Sequence, residues 1–168
     1  MKKNAQIKML KDQPKAYGGT LLNKRKARLE SRPIDTKNTM HLVLRSTQAE
    51  GEWSFARKEN REKISQIVGR FSEKYAVEVL SIANVGNHLH FQIKLSTRHT
   101  YKKFIRALSS AIVMAVTGAS RMKKLEKPFW DYRPFTRVVV GHRAVLSLRD
   151  YIKINQLEGQ SVARAALL

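Results

Sequence analysis

Residues 88–95, HLHFQIKL, alternate polar and apolar side chains for eight positions without a break. A period of two belongs to a β-strand, whose successive side chains point to opposite faces. One face then carries His88, His90, Gln92 and Lys94, and the other Leu89, Phe91, Ile93 and Leu95. Four large apolar residues on one side of one strand require a core to cover them. The chain must therefore build a sheet with helices or a second sheet packed on that side.

The neighbouring segments supply the rest of such a sheet. AVEVLSIANV (76–85) is rich in β-formers, and the turn-forming Gly86 and Asn87 join it to 88–95 as a hairpin. MHLVLRS (40–46) and TRVVVG (136–141) read as two further strands. Between Glu59 and Tyr75, the positions Ile64, Ile67, Val68, Phe71 and Tyr75 recur at helical spacing. A second helix is expected from Tyr101, capped by Thr100 and ended by Gly118, with Phe104, Leu108 and Ile112 on one face. A third is expected over SLRDYIKINQLEG (147–159), opened by a capping box of Ser147 and Asp150 and closed by Gly159. The order β-α-β-β-α-β-α lacks the strict alternation of a parallel sheet. It predicts an α+β fold, ferredoxin-like or RRM-like, with helices on a central antiparallel sheet. Residues 1–38 read as a basic arm without apolar period, 39–160 as the folded domain and 161–168 as a tail.

Charge narrows the partner. Lys and Arg number 33 against 13 Asp and Glu, a net charge of +20. Such an excess implies a polyanion, and charge alone does not choose DNA over RNA. The excess gathers in residues 1–33 and 98–143. The residues expected on nucleic acid are Lys24, Arg25, Lys26, Arg28 and Arg32 in the arm, with Lys102, Lys103, Arg106, Arg133 and Arg137 beyond it. Trp53, Trp130 and Tyr132 are either core aromatics or platforms for unpaired bases. The longest purely apolar run, AIVMAV at 111–116, is too short to cross a bilayer, so no membrane partner is expected. The N-terminus lacks the apolar core of a secretory signal, and there is no Cys. A cytoplasmic protein, nucleoid-associated when on DNA, is the expectation.

His88 and His90 project from one strand face, close enough to share a divalent ion, although two surface histidines would show the same pattern. Tyr151 and Asn155, four apart on the third predicted helix, put a phenol one turn from a carboxamide, and a packing tyrosine is the plainer reading. His41, His99 and His142 fit no ligand pattern.

Three blocks together resemble the HUH single-tyrosine transposases of small bacterial insertion sequences, above all the REP-associated tyrosine transposases. They are NVGNHLHFQI (84–93), FWDYRPFTRVV (129–139) and YIKIN (151–155), with RPIDTKNTMHLVLRS (32–46) similar to the opening strand. The resemblance implies that Tyr151 is the nucleophile, and that His88, His90 and Asn155 hold Mg²⁺ or Mn²⁺. It further implies strand cleavage and transfer on single-stranded or hairpin DNA through a 5′-phosphotyrosine, by a monomer or homodimer. Val85-Gly86 and Gln156 depart from the family pattern without replacing a chemical group. Tyr132 is a rival nucleophile that lacks a partner at helical spacing. The rival function is a non-catalytic basic module that grips hairpin DNA or RNA on an RRM-like fold. A zinc-stabilised domain is disfavoured by the lack of Cys.

Overall fold

The computed structural model describes residues 32–165. Lys24, Arg25, Lys26 and Arg28, and most of the expected arm, lie outside them. The elements run β1 (Thr39–Arg45), α1 (Lys58–Lys74), β2 (Val77–Asn84), β3 (His88–Leu95), α2 (Arg98–Thr117), β4 (Phe135–Val139) and α3 (His142–Ala165), with a 3₁₀ turn at Gly51–Trp53. This is the expected order. The four strands form one sheet in the order β2-β3-β1-β4, and each neighbouring pair is antiparallel. The fold is α+β. Among the described residues no helix is long and apolar enough to cross a membrane.

The two faces of the sheet are used differently. Leu89, Phe91, Ile93 and Leu95 of β3 are buried, and with Met40, Leu42 and Leu44 of β1 they pack against α1 and α2. Each such side chain contributes roughly 1.5–3 kcal/mol by leaving water, so this face carries most of the stability. The opposite face, expected to be polar, is covered as well. Ala83 of β2 and Val139 of β4 meet Leu148 and Ile152 of α3 in a second, smaller cluster. Residues 32–38 hold no regular element, yet Ile34 packs on the main core and the Pro33 carbonyl accepts a hydrogen bond from Thr136 Oγ1 at 2.7 Å.

Three expectations about helix ends are corrected. α2 is capped by Thr97 rather than Thr100. Thr97 has extended backbone and its side chain accepts from the Thr100 N–H, which places Thr100 inside the first turn. Gly118 does end α2, in the left-handed conformation that glycine adopts without strain. α3 begins at His142, so Ser147 and Asp150 stand inside the helix and form no capping box. Its start is set by Gly141, whose φ of 88° turns the chain out of β4. Gly159 is not a cap either, because α3 runs on to Ala165 through the first part of the expected tail. A Cβ at Gly159 would lie 1.9 Å from the Asn84 carbonyl oxygen. The glycine is there because α3 crosses the β2–β3 turn at backbone contact distance.

Candidate active site

The site lies on the sheet face beneath α3. β3 presents His88 and His90 there, their ring centroids 4.8 Å apart. The β1–β3 register sets Arg45 opposite His88 and Val43 opposite His90, which leaves His41 as the diagonal neighbour of His90. His41 Nε2 and His90 Nδ1 are 3.0 Å apart, and the two rings lie edge to edge, 18° from coplanar, with centroids at 5.3 Å. α3 delivers Tyr151 to the same place. Its ring stands perpendicular to His90 at 5.4 Å and edge-on to His41 at 5.9 Å. The tyrosine is 47% exposed even though its ring meets both imidazoles.

One turn further along α3, Asn155 is buried and its Nδ2 donates to the Tyr151 carbonyl at 2.8 Å. The next residue, Gln156, fixes the helix to the sheet, since its Oε1 accepts from the Asn84 backbone N–H at 2.9 Å. The strand pattern and the helical spacing therefore converge: His88, His90 and Tyr151 meet, and Asn155 stands one turn further along the tyrosine's helix.

Burial decides the protonation of the imidazoles. Desolvation and then the Arg137 charge bring His41 down to about 4, and desolvation followed by its histidine neighbours brings His90 to about 3. His88 is lowered by burial and by Arg45. All three are neutral at pH 7, the form that offers a lone pair to a cation. The hydrogen bonds indicate which nitrogen offers it. Asn87 Oδ1 lies 2.6 Å from His88 Nδ1 and can only accept, so that nitrogen carries the proton and Nε2 keeps its lone pair. His90 Nε2 is buried without a hydrogen-bond partner. Among the described residues no three His, Cys, Asp or Glu side chains could hold an ion by themselves. Two imidazoles and the amide of Asn155 lie outside that count, and the orphaned His90 nitrogen is the observation that fits a cation.

The flanks are basic. Arg137 of β4 pairs with His41 in the register and is exposed. The Arg32 guanidinium sits 4.8 Å from the Phe135 ring centroid, and Phe135 in turn lies edge-on to His41. Arg45 approaches Asp131 at 3.6 Å. Lys102, Lys103 and Arg106 are exposed on α2, across the sheet from the histidines. Arg133 lines a cavity of about 630 Å³ between α2 and the loop that precedes β4, with Trp130 and Tyr132. Trp53 and Trp130 pack on the main core, and Trp130 Nε1 donates to the Ser109 carbonyl. The Tyr132 hydroxyl is buried without a partner, and desolvation raises its pKa, the wrong direction for a nucleophile. Pattern reasoning missed His41 and Arg45. Neither has a spacing signal, because only the pairing of β1 with β3 brings them to the site.

A REP-associated tyrosine transposase, solved bound to a REP hairpin, matches 77% of this chain and 72% of its own, with a TM-score of 0.60 at 14% identity. The chain belongs to the IS200-like transposase family, whose model matches residues 36–155. A Deinococcus radiodurans R1 protein assigned as a transposase is 17% identical over 76% of this chain and 96% of its own, with a TM-score of 0.48. Comparison with curated protein sequences finds no match.

Proposed function

We propose that the protein cleaves and rejoins single-stranded DNA, folded as a hairpin, through a covalent bond to Tyr151. The observation that carries this reading is the half-exposed Tyr151 ring set perpendicular to a buried histidine whose Nε2 has no partner. A basic surface alone would need neither.

Arg137 and Arg45 flank the histidines and would hold the DNA backbone across them. Tyr151 Oη then attacks the phosphorus of the bound phosphodiester in line with the 3′ oxygen. The Oη–P bond forms, the P–O3′ bond breaks, the phenol proton passes to solvent and the leaving oxygen takes up a proton as a 3′-hydroxyl. The product keeps the energy of a phosphodiester, so a second 3′-hydroxyl can reverse the step and become joined. His88, His90 and Asn155 would hold Mg²⁺ or Mn²⁺, which when bound polarises the phosphoryl oxygens. The similarity of fold to a transposase solved with a REP hairpin supports a hairpin substrate.

The test is a denaturing gel of protein incubated with end-labelled single-stranded hairpins and Mn²⁺. Wild type is expected to give a DNA–protein adduct and Tyr151→Phe none, while both shift the hairpin in a native gel. An equal adduct from the phenylalanine variant would move the nucleophile elsewhere. Its absence from both, with binding intact, would favour the non-catalytic module.

A further inference from the structure

The two site histidines differ in how their rings are held. His88 takes its orientation from the side chain beside it in sequence, Asn87, through the 2.6 Å contact at Nδ1. His90 has no such neighbour. Its Nδ1 meets His41 Nε2 at 3.0 Å, from a different strand 49 residues earlier. The rings lie 18° from parallel with centroids 5.3 Å apart, so they meet edge to edge and the nitrogen–nitrogen contact lies close to the plane of both. His41 is pinned in turn by Phe135 and Tyr151, both edge-on to it.

A nitrogen pair at this distance shares one proton, and its side of the pair determines what His90 can do. If the proton sits on His41, then His90 Nε2 is an N–H donor, buried with no acceptor. An unpaired buried polar atom costs about 1–3 kcal/mol in either tautomer, but a donor cannot recover that cost from a cation whereas a lone pair can. If the proton sits on His90 Nδ1, Nε2 is a bare lone pair, as it is on His88. The second arrangement makes the two site histidines chemically alike.

We infer that His41 is a positioning residue that accepts a hydrogen bond from His90 Nδ1–H and thereby holds His90 in the tautomer whose Nε2 lone pair can take a divalent cation. This deepens the proposed function and rests on it for the ligand, while the tautomer itself is a property of the chain. Partners of this kind orient a ligating imidazole and raise its basicity, and their loss lowers metal affinity about 10–100-fold.

Two measurements test it. In metal-free wild type, long-range ¹H–¹⁵N spectra are expected to show His90 protonated at Nδ1. A proton on Nε2 would overturn the inference, whatever the protein does to DNA. Titration with Mn²⁺ alone is then compared among wild type, His41→Phe and His41→Gln. The phenyl ring fills the space of the imidazole without an acceptor, and the glutamine keeps an acceptor oxygen. The expected result is about 10–100-fold weaker binding by His41→Phe, partly recovered by His41→Gln, with thermal melting little changed. Unweakened binding by His41→Phe would overturn the role of His41 and leave the tyrosine mechanism standing. Wild type that takes up no Mn²⁺ and forms no adduct would sink the proposed function instead, and the spectra would still decide the tautomer.

Discussion

Replacing Gly159 by alanine sets two large effects against each other. In an exposed helix interior the change is stabilising, by about 0.8–1.0 kcal/mol from helix propensity. Here the new methyl would lie 1.9 Å from the Asn84 carbonyl oxygen, 2.9 Å from its carbon and 3.2 Å from Val85 Cα. All three are backbone atoms where β2 passes into the β2–β3 turn, and none can rotate away. Restoring a carbon–oxygen contact of about 3.3 Å requires α3 to retreat by roughly 1.4 Å. That retreat strains the Gln156–Asn84 hydrogen bond, worth about 1 kcal/mol, and adds an overpacking cost of about 1–3 kcal/mol. The net expectation is a loss of about 1–3 kcal/mol, lowering Tm by roughly 2–4 °C per kcal/mol. Tyr151 stands eight residues earlier on the same helix and moves with it. A misplacement near 1 Å costs on the order of 100-fold in a positioned reaction. Gly159→Ala should therefore form the covalent adduct about 100-fold more slowly while still shifting the hairpin. A variant that melts higher than wild type and reacts at its rate would refute the backbone contact and the positioning argument together.

Two other predictions concern the histidine face. Because His41 and His90 titrate at about 4 and about 3 when folded, against 6.5 for an ordinary imidazole, the unfolded chain protonates first as pH falls. Stability should thus be fully present above pH 6.5 and decline below it, by about 2 kcal/mol per histidine at pH 5. Urea unfolding at pH 7.5 and pH 5 would measure this, and a His41→Gln, His90→Gln double variant should lose correspondingly less; an equal loss in both proteins would refute it. Arg137→Gln removes a charge beside His41. It should weaken hairpin binding and reduce the log–log salt slope by about 0.7 with melting unchanged, and an unaltered slope would place the phosphates elsewhere.

Local periodicity made much of this molecule legible. The alternation at 88–95 gave β3 and its apolar face to the residue, since a period of two admits one reading. The element order followed, and with it the α+β fold. Helix ends were less legible: Ser147, Asp150 and Gly159 carry the chemistry of caps, but Gly141 starts α3 earlier and the approach to Asn84 requires the glycine for space. Tyr151 and Asn155 were visible as a pair because helical spacing puts them on one face. His41 was not, because its partner lies on another strand and no spacing in the chain encodes a diagonal neighbour across β1 and β3.

The two cores are unequal. Among the described residues, nineteen buried side chains tie the sheet to α1 and α2, whereas α3 meets it through a buried cluster of four, Ala83, Val139, Leu148 and Ile152, flanked by Ala144 and Val145. Local opening follows the apolar area that must be exposed, so α3 can lift as a unit at a fraction of the cost of global unfolding. The histidines stay with the rigid part and the tyrosine leaves with the helix. Under the proposed mechanism the reaction is then subject to an association step within one chain, in which Tyr151 must return to the histidines while the sheet that carries them stays folded.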